Sequence, residues 1–282
     1  MYLSGAKHDP YLMIKPDSDL ENIDSDFLQN KYSIRLSGKY DNSFLKKFVE
    51  RFSDVLDLDI GNQYGDGDNS FIYDLPNLRG LVISLYKDSD FILDCSKLPK
   101  SLFSLNLSVW SKKHIVNIQS LNNTNLERLY VSDFDEKDLT KLSCLPNLKS
   151  LSITRSKIKS LKGIETLTNL EYLSLGAVRS LTDISDFTTL HKLKRLDIDI
   201  CWKLEDFSPI GNLKNIEHLQ LQDCKSLKSI KFVEQMPKLK RLIALGTTVI
   251  QDHDTTPAKD IPIFWGSQRP EYNVHYPEKE IK

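Results

Sequence analysis

Net charge is nearly absent from this chain: 38 Lys and Arg stand against 39 Asp and Glu over 282 residues. That balance argues against a nucleic-acid partner, because a chain held mainly by phosphate contacts needs a basic face. Long apolar runs are missing too. None approaches the roughly 18 residues of a membrane-spanning helix, so no membrane partner is expected. Cysteine is scarce, with four residues and no close pair. No disulfide framework is expected, and the thiols read as reduced. The start, Met1 to Pro10, has no basic stretch followed by an apolar core, so it does not read as a secretory signal. Together these features point to the cytoplasm. HExxH, CxxC, GxSxG, Walker and GxGxxG patterns are all absent. The expectation is a protein that is not an enzyme and takes no cofactor and no metal.

What the sequence does have is one recurring phrase: an apolar residue, two variable, Leu, one variable, an apolar residue. It runs Leu78-x-x-Leu81-x-Ile83 and returns at Leu102, Leu126, Leu148, Leu170, Leu193, Ile216 and Leu239, with starts 24, 24, 22, 22, 23, 23 and 23 residues apart. A fixed period in the twenties with this signature predicts an α/β leucine-rich repeat solenoid. Val55, Leu58 and Ile60 extend the phrase backwards by 23 residues, and Lys31, Ile34 and Leu36 by another 24. About ten strands therefore stack in a parallel β-sheet on the concave face. The repeat from Leu148 shows what lies opposite. Leu151 and Ile153 are two apart, as in a strand. Ile158, Leu161, Ile164 and Leu167 are three apart, as in short helical or 3-10 turns on the convex side. Segment 43–52 reads as a true helix, with Phe44, Phe48 and Phe52 on one face and Ser43 as its N-cap. The expected organisation is an N-terminal cap over 1–30, the repeat array over 31–245, and an irregular C-terminal cap over 246–282 with one more strand near Ile261–Trp265.

These repeats resemble the short leucine-rich repeats of internalins and of the eukaryotic phosphatase-regulator type. The tail adds a second likeness. Gly246-Thr247-Thr248-Val249-Ile250-Gln251-Asp252-His253-Asp254, followed by His275-Tyr276, is similar to the last repeat of bacterial repeat proteins associated with toxins. That resemblance implies a cytosolic immunity protein, with a toxin as partner. A regulatory or effector scaffold binding another cellular protein is the alternative. A repeat-fused enzyme fits less well, since only about 37 residues follow the array and they hold no Cys.

In such a repeat the slot three places after the sixth position faces inward and bonds backbone groups of the turn. It holds Ser156, Val178, Cys201, Cys224 and Thr247, so Cys201 and Cys224 read as stacked interior residues rather than a redox pair or half a metal site. Trp110 and Phe134 fall in the same slot and read as core, with Trp202 one place later and exposed. Asp66-Gly67-Asp68-Asn69 lacks the twelfth-place Glu of a calcium loop and reads as a turn. Asp252-His253-Asp254 reads as a terminal-repeat signature rather than an acid–base or metal group.

The informative surface is the outward set of the strands. Side chains alternate along a strand, so the third, fifth and seventh slots face out. Tyr and Arg, enriched at binding hot spots, cluster there. The partner-binding set read from these columns and their rim is Arg128, Tyr130, Arg155, Tyr172, Arg195, Asp197, Asp199, Trp202, His218, Gln220 and Arg241. Arg179 and Asp223 add charge near Trp202. Ten strands about 4.8 Å apart span an arc of about 45 Å, room for a standard interface of about 800 Å² per partner. With both ends capped, the chain is expected to be a monomer when alone.

Overall fold

The computed structural model describes residues 2–4, 11–23, 33–61, 68–85 and 90–277. The expectations that rest on Met1, Lys31, Asp66 and Gly67 lie outside the described residues. The chain divides into two compact units, Met1–Val131 and Ser132–Lys282.

In the first unit, β1 (Tyr2–Ser4), β2 (Tyr11–Ile14), β3 (Ser33–Leu36), β4 (Asp57–Ile60), β5 (Gly80–Ser84), β7 (Ser104–Val109) and β9 (Arg128–Ser132) follow one another across the sheet. All pairings are parallel except β1 with β2. The sheet thus begins earlier than the phrase does, with β1 and β2 inside the first thirty residues. β6 (Leu93–Asp94) pairs with β8 (Ile115–Val116) in a separate two-stranded ribbon. The one α-helix among the described residues, α1 (Asn42–Arg51), carries the predicted Phe face in part: Phe48 is buried, Phe44 is half-buried, and Phe52 is buried just past the helix as its C-cap. Its N-cap is Asp41, not Ser43. The Asp41 carboxylate accepts the Phe44 N–H at 2.7 Å, and an ionised cap also suits the positive end of the helix dipole.

The second unit holds β10 (Ser150–Thr154), β11 (Tyr172–Gly176), β12 (Arg195–Asp199), β13 (His218–Gln222), β15 (Arg241–Leu245) and β17 (Ile263–Trp265), all parallel, with β14 (Ser226–Leu227) paired to β16 (Val249–Ile250). Leu151, Leu173, Leu196, Leu219, Leu242 and Phe264 stand in register and are at most 1% exposed. The second Leu of the phrase therefore forms a continuous apolar row. Burying each such side chain is worth about 1.5–3 kcal/mol. The return segments carry 3-10 turns, among them Ile164–Thr166, Ser185–Thr189, Ser208–Asn212 and Lys231–Gln235.

After each strand one residue turns into the left-handed region. Asp133, Arg155, Ala177, Ile200 and Asp223 have φ of 55°, 51°, 54°, 54° and 50°. Each donates its N–H to the last strand residue of the next repeat, at 2.8–3.2 Å, so the ladder continues through the turn. The next residue then points inward. Ser156, Val178, Cys201 and Cys224 are all buried there, as are Phe134 and Trp110 in their repeats. In the last repeat the inward residue is Thr248, and Thr247 is exposed, because Gly246 (φ +65°) starts a turn one residue longer. The Thr248 hydroxyl donates to Leu221 O at 3.0 Å and accepts the Cys224 N–H at 3.1 Å.

Tyr272 and Tyr276 pack against β16 and β17. Ile250 N–H donates to the Tyr272 hydroxyl at 2.9 Å, and the Tyr276 ring lies 5.8 Å from that of Phe264. Asp254 accepts from Thr256 and from Asn273 Nδ2, which holds its carboxyl below the usual range. The Asp252-His253-Asp254 signature is a turn built by these bonds.

Candidate protein-binding face

Strand alternation sorts the second unit cleanly: burial along β10, β11, β13 and β15 alternates half-buried and buried. The third-slot residues Tyr172, Arg195, His218 and Arg241 pair in Cα register, as do the fifth-slot residues Ser174, Asp197, Gln220 and Ile243. The predicted columns are therefore real neighbours.

Asp197 is their hub. It is 9% exposed, and a carboxylate so far out of water needs donors. Arg195 Nε supplies contacts of 3.1 and 3.0 Å, Arg195 Nη2 one of 2.9 Å, and the Tyr172 hydroxyl one of 3.0 Å. The Arg195 guanidinium also lies 5.3 Å from the Tyr172 ring centroid. Burial, then the nearby Asp197 charge, pushes the Tyr172 hydroxyl above its usual range. Tyr172 is thus anchored rather than loose, and a rigid aromatic loses little entropy when a partner covers it.

Beside this trio lies a hollow of about 120 Å³, lined by Arg195, Asp197, His218, Leu219, Gln220, Arg241 and Ile243. Gln220 Nε2 donates to Gln222 at 3.2 Å. Asp199, one strand position past the hollow, has a buried oxygen without a hydrogen-bond partner. Burial, and then Asp223, raises its carboxyl above the usual range.

The flank is built at the turn. Trp202 is 41% exposed, a large apolar surface in water. Arg179 stands 4.5 Å from its ring centroid and Lys225 5.0 Å, contacts worth about 0.5–1 kcal/mol each at exposed sites. Residues 179, 202 and 225 are 23 apart, one slot on three successive repeats. Lys225 was missed by the sequence reading, though that spacing marks it. Arg155 forms a fork on Asp133, with both contacts at 3.0 Å.

Arg128 and Tyr130 lie on β9 in the first unit. Arg128 is exposed, its guanidinium 5.1 Å from the Phe103 ring, and Tyr130 is half-buried. The first unit also has an outward pair the sequence reading passed over: Arg35 bonds Asp59 at 2.7 Å and sits 4.2 Å over Tyr11.

Cys201 and Cys224 use their thiols on turn carbonyls: Cys201 on Asp199 O at 3.5 Å, Cys224 on Gln222 O at 3.2 Å. Burial pushes the Cys224 thiol up to about 11 and Cys201 higher still, so neither offers a thiolate at neutral pH. Among the described residues no group of three or more His, Cys, Asp and Glu is placed to hold a metal ion. No helix among them is long and apolar enough to cross a membrane.

Repeats of 22–24 residues, each a parallel strand with Leu in register and a return through 3-10 turns, make this a leucine-rich repeat solenoid. The comparisons agree. Residues 146–233 match the leucine-rich repeat domain of the endo-β-N-acetylglucosaminidase EndoS. An internalin (InlF) from Listeria monocytogenes str. 4b F2365 is similar in structure, with a TM-score of 0.59 and 23% identity over 92% of this chain and 74% of that one. So is TLR13 in its complex with ssRNA13, with a TM-score of 0.58 and 22% identity over 77% of this chain and 33% of that one. At these identities the likeness is one of fold. No curated protein matches the chain in sequence.

Proposed function

We propose that the chain is a non-catalytic, cytoplasmic protein-binding module whose outward sheet face in the second unit holds another protein. The observation that carries this is the anchored trio of Tyr172, Arg195 and Asp197 beside an exposed Trp202 held between two cations. Pre-positioned Tyr, Arg and Trp are what binding hot spots are made of, and solenoids present such faces to partners. In the sharper form of the proposal the partner is a toxin, and the chain, a monomer until then, neutralises it by covering a working surface. The tail signature supports that form.

The test is capture of a partner from the native cells by the full tagged chain, identification, and calorimetry with the purified pair. A Tyr172→Ala, Gln220→Ala, Trp202→Ala variant should lose at least about tenfold in affinity. Unchanged affinity in a folded variant would remove the face from the proposal. For the toxin form, the captured protein should arrest growth when produced alone, and the chain should restore it; a harmless captured protein would leave a scaffold instead.

A further inference from the structure

We propose that the hollow between β12, β13 and β15 is a carboxylate pocket, in which an Asp or Glu side chain of the partner protein is held by Arg241 and His218. This rests on the protein-binding reading of the same face.

The third slot of three successive strands supplies Arg195, His218 and Arg241, side by side in register. Their situations differ. Arg195 is committed to Asp197. Among the described residues Arg241 has no ion pair and its Nε is out of water without an acceptor; His218 Nδ1 is likewise buried without a partner among them. A buried polar group left unmet is costly, and a charged one more so. Arg241 Nε–H lacks an acceptor, and His218 Nδ1–H lacks one too once the ring carries its second proton; a single anionic acceptor in the hollow would meet both. A guanidinium fork suits a carboxylate. Leu219 and Ile243 line the same hollow and give the methylenes of an acidic side chain an apolar wall. Asp197 does not repel the newcomer strongly, because its own charge is met by Arg195 and Tyr172.

Protonation follows the same logic. The charged groups that act on His218 are Arg195 on β12, Arg241 and Lys240 at β15, and Glu217 before its own strand, with Asp197 lining the same hollow. Burial, then Arg241 and Arg195, holds His218 below its usual range, with Glu217 opposing. An entering carboxylate reverses that balance. His218 then takes up a proton on binding, and binding strengthens as the pH falls through the range of the bound state.

The test needs no partner. The full chain is titrated with glutarate, and separately with inorganic phosphate, while the His218 imidazole resonances, assigned with His218→Gln, are followed against pH. Glutarate should shift them saturably and move the His218 midpoint upward. Arg241→Gln should weaken the effect by roughly tenfold, and Lys238→Gln, which removes a cation bonded to Asn215 and not lining the hollow, should leave it unchanged. A His218 signal blind to glutarate overturns the proposal, as does a glutarate shift that survives Arg241→Gln. Phosphate binding without glutarate binding overturns the carboxylate assignment. Because the probes are small anions, any of these failures leaves the protein-binding face standing. A failed capture experiment with an intact glutarate shift would do the reverse.

Discussion

Replacing Arg195 with Met tests whether the Tyr172–Arg195–Asp197 trio is a built structure or a surface ornament. Met keeps the length and apolar stem and removes the charge. The Arg195 side chain is 53% exposed and that of Asp197 only 12%. The cation's share of the pair is thus worth only the surface value of about 0–1 kcal/mol. The loss falls mainly on Asp197, which keeps only the Tyr172 hydroxyl of its four contacts. A buried acceptor stripped of donors costs about 1–3 kcal/mol. Arg195→Met should therefore destabilise the fold by about 2 kcal/mol, and Tyr172→Phe by about 1 kcal/mol. Urea unfolding followed by circular dichroism measures both. The Arg195→Met penalty should survive roughly 0.5 M salt, since partly buried pairs are screened less than surface ones. A cost below about 0.5 kcal/mol, or one that salt abolishes, would mean that water reaches Asp197 freely. The reasoning that makes Tyr172 a rigid anchor would then be wrong.

Other expectations do not depend on that trio. Gly163 has φ +101°, and a Cβ there would sit 2.5 Å from Leu139 C and Thr140 N, so Gly163→Ala should cost about 2–4 kcal/mol by thermal or urea unfolding. Asp199, raised in the folded state, favours folding only when protonated and counts against it as pH rises through its folded value. Asp199→Asn should thus be more stable than the parent at neutral pH, with the gap closing as the pH falls toward the ordinary carboxylate range. Of the four thiols, only Cys144 is not fully buried. A neutral-pH thiol reagent should therefore modify one site natively and four in denaturant, counted by mass spectrometry.

The fold was legible because its signal repeats. One Leu phrase at a fixed period sets strand, register and inward slot together, and Leu151 through Leu242 fall where the period puts them. The N-terminal end was not legible, because β1 and β2 lack the phrase and are recognised only by pairing with what the phrase built; β17 lacks it too, yet the apolar run Ile261–Trp265 marked it. Within the site, column membership was readable: Arg195, His218 and Arg241 share a slot. What each column member does was not. That Arg195 is spent on Asp197 while Arg241 Nε is left without an acceptor among the described residues depends on side-chain geometry within one hollow. The shift from Thr247 to Thr248 had the same origin, a single extra residue in the turn after Gly246.

The most direct test of the central claim, that the outward face of the second unit binds a protein, is a protection measurement with the captured partner. On a Cys144→Ala background, single cysteines replace Ser174 on β11, in the outward fifth slot, and Glu234, exposed in the 3-10 turn Lys231–Gln235. Saturating partner should slow labelling at position 174 severalfold and leave position 234 unchanged. Equal labelling at 174 with and without partner, or protection at 234 instead, would contradict the account.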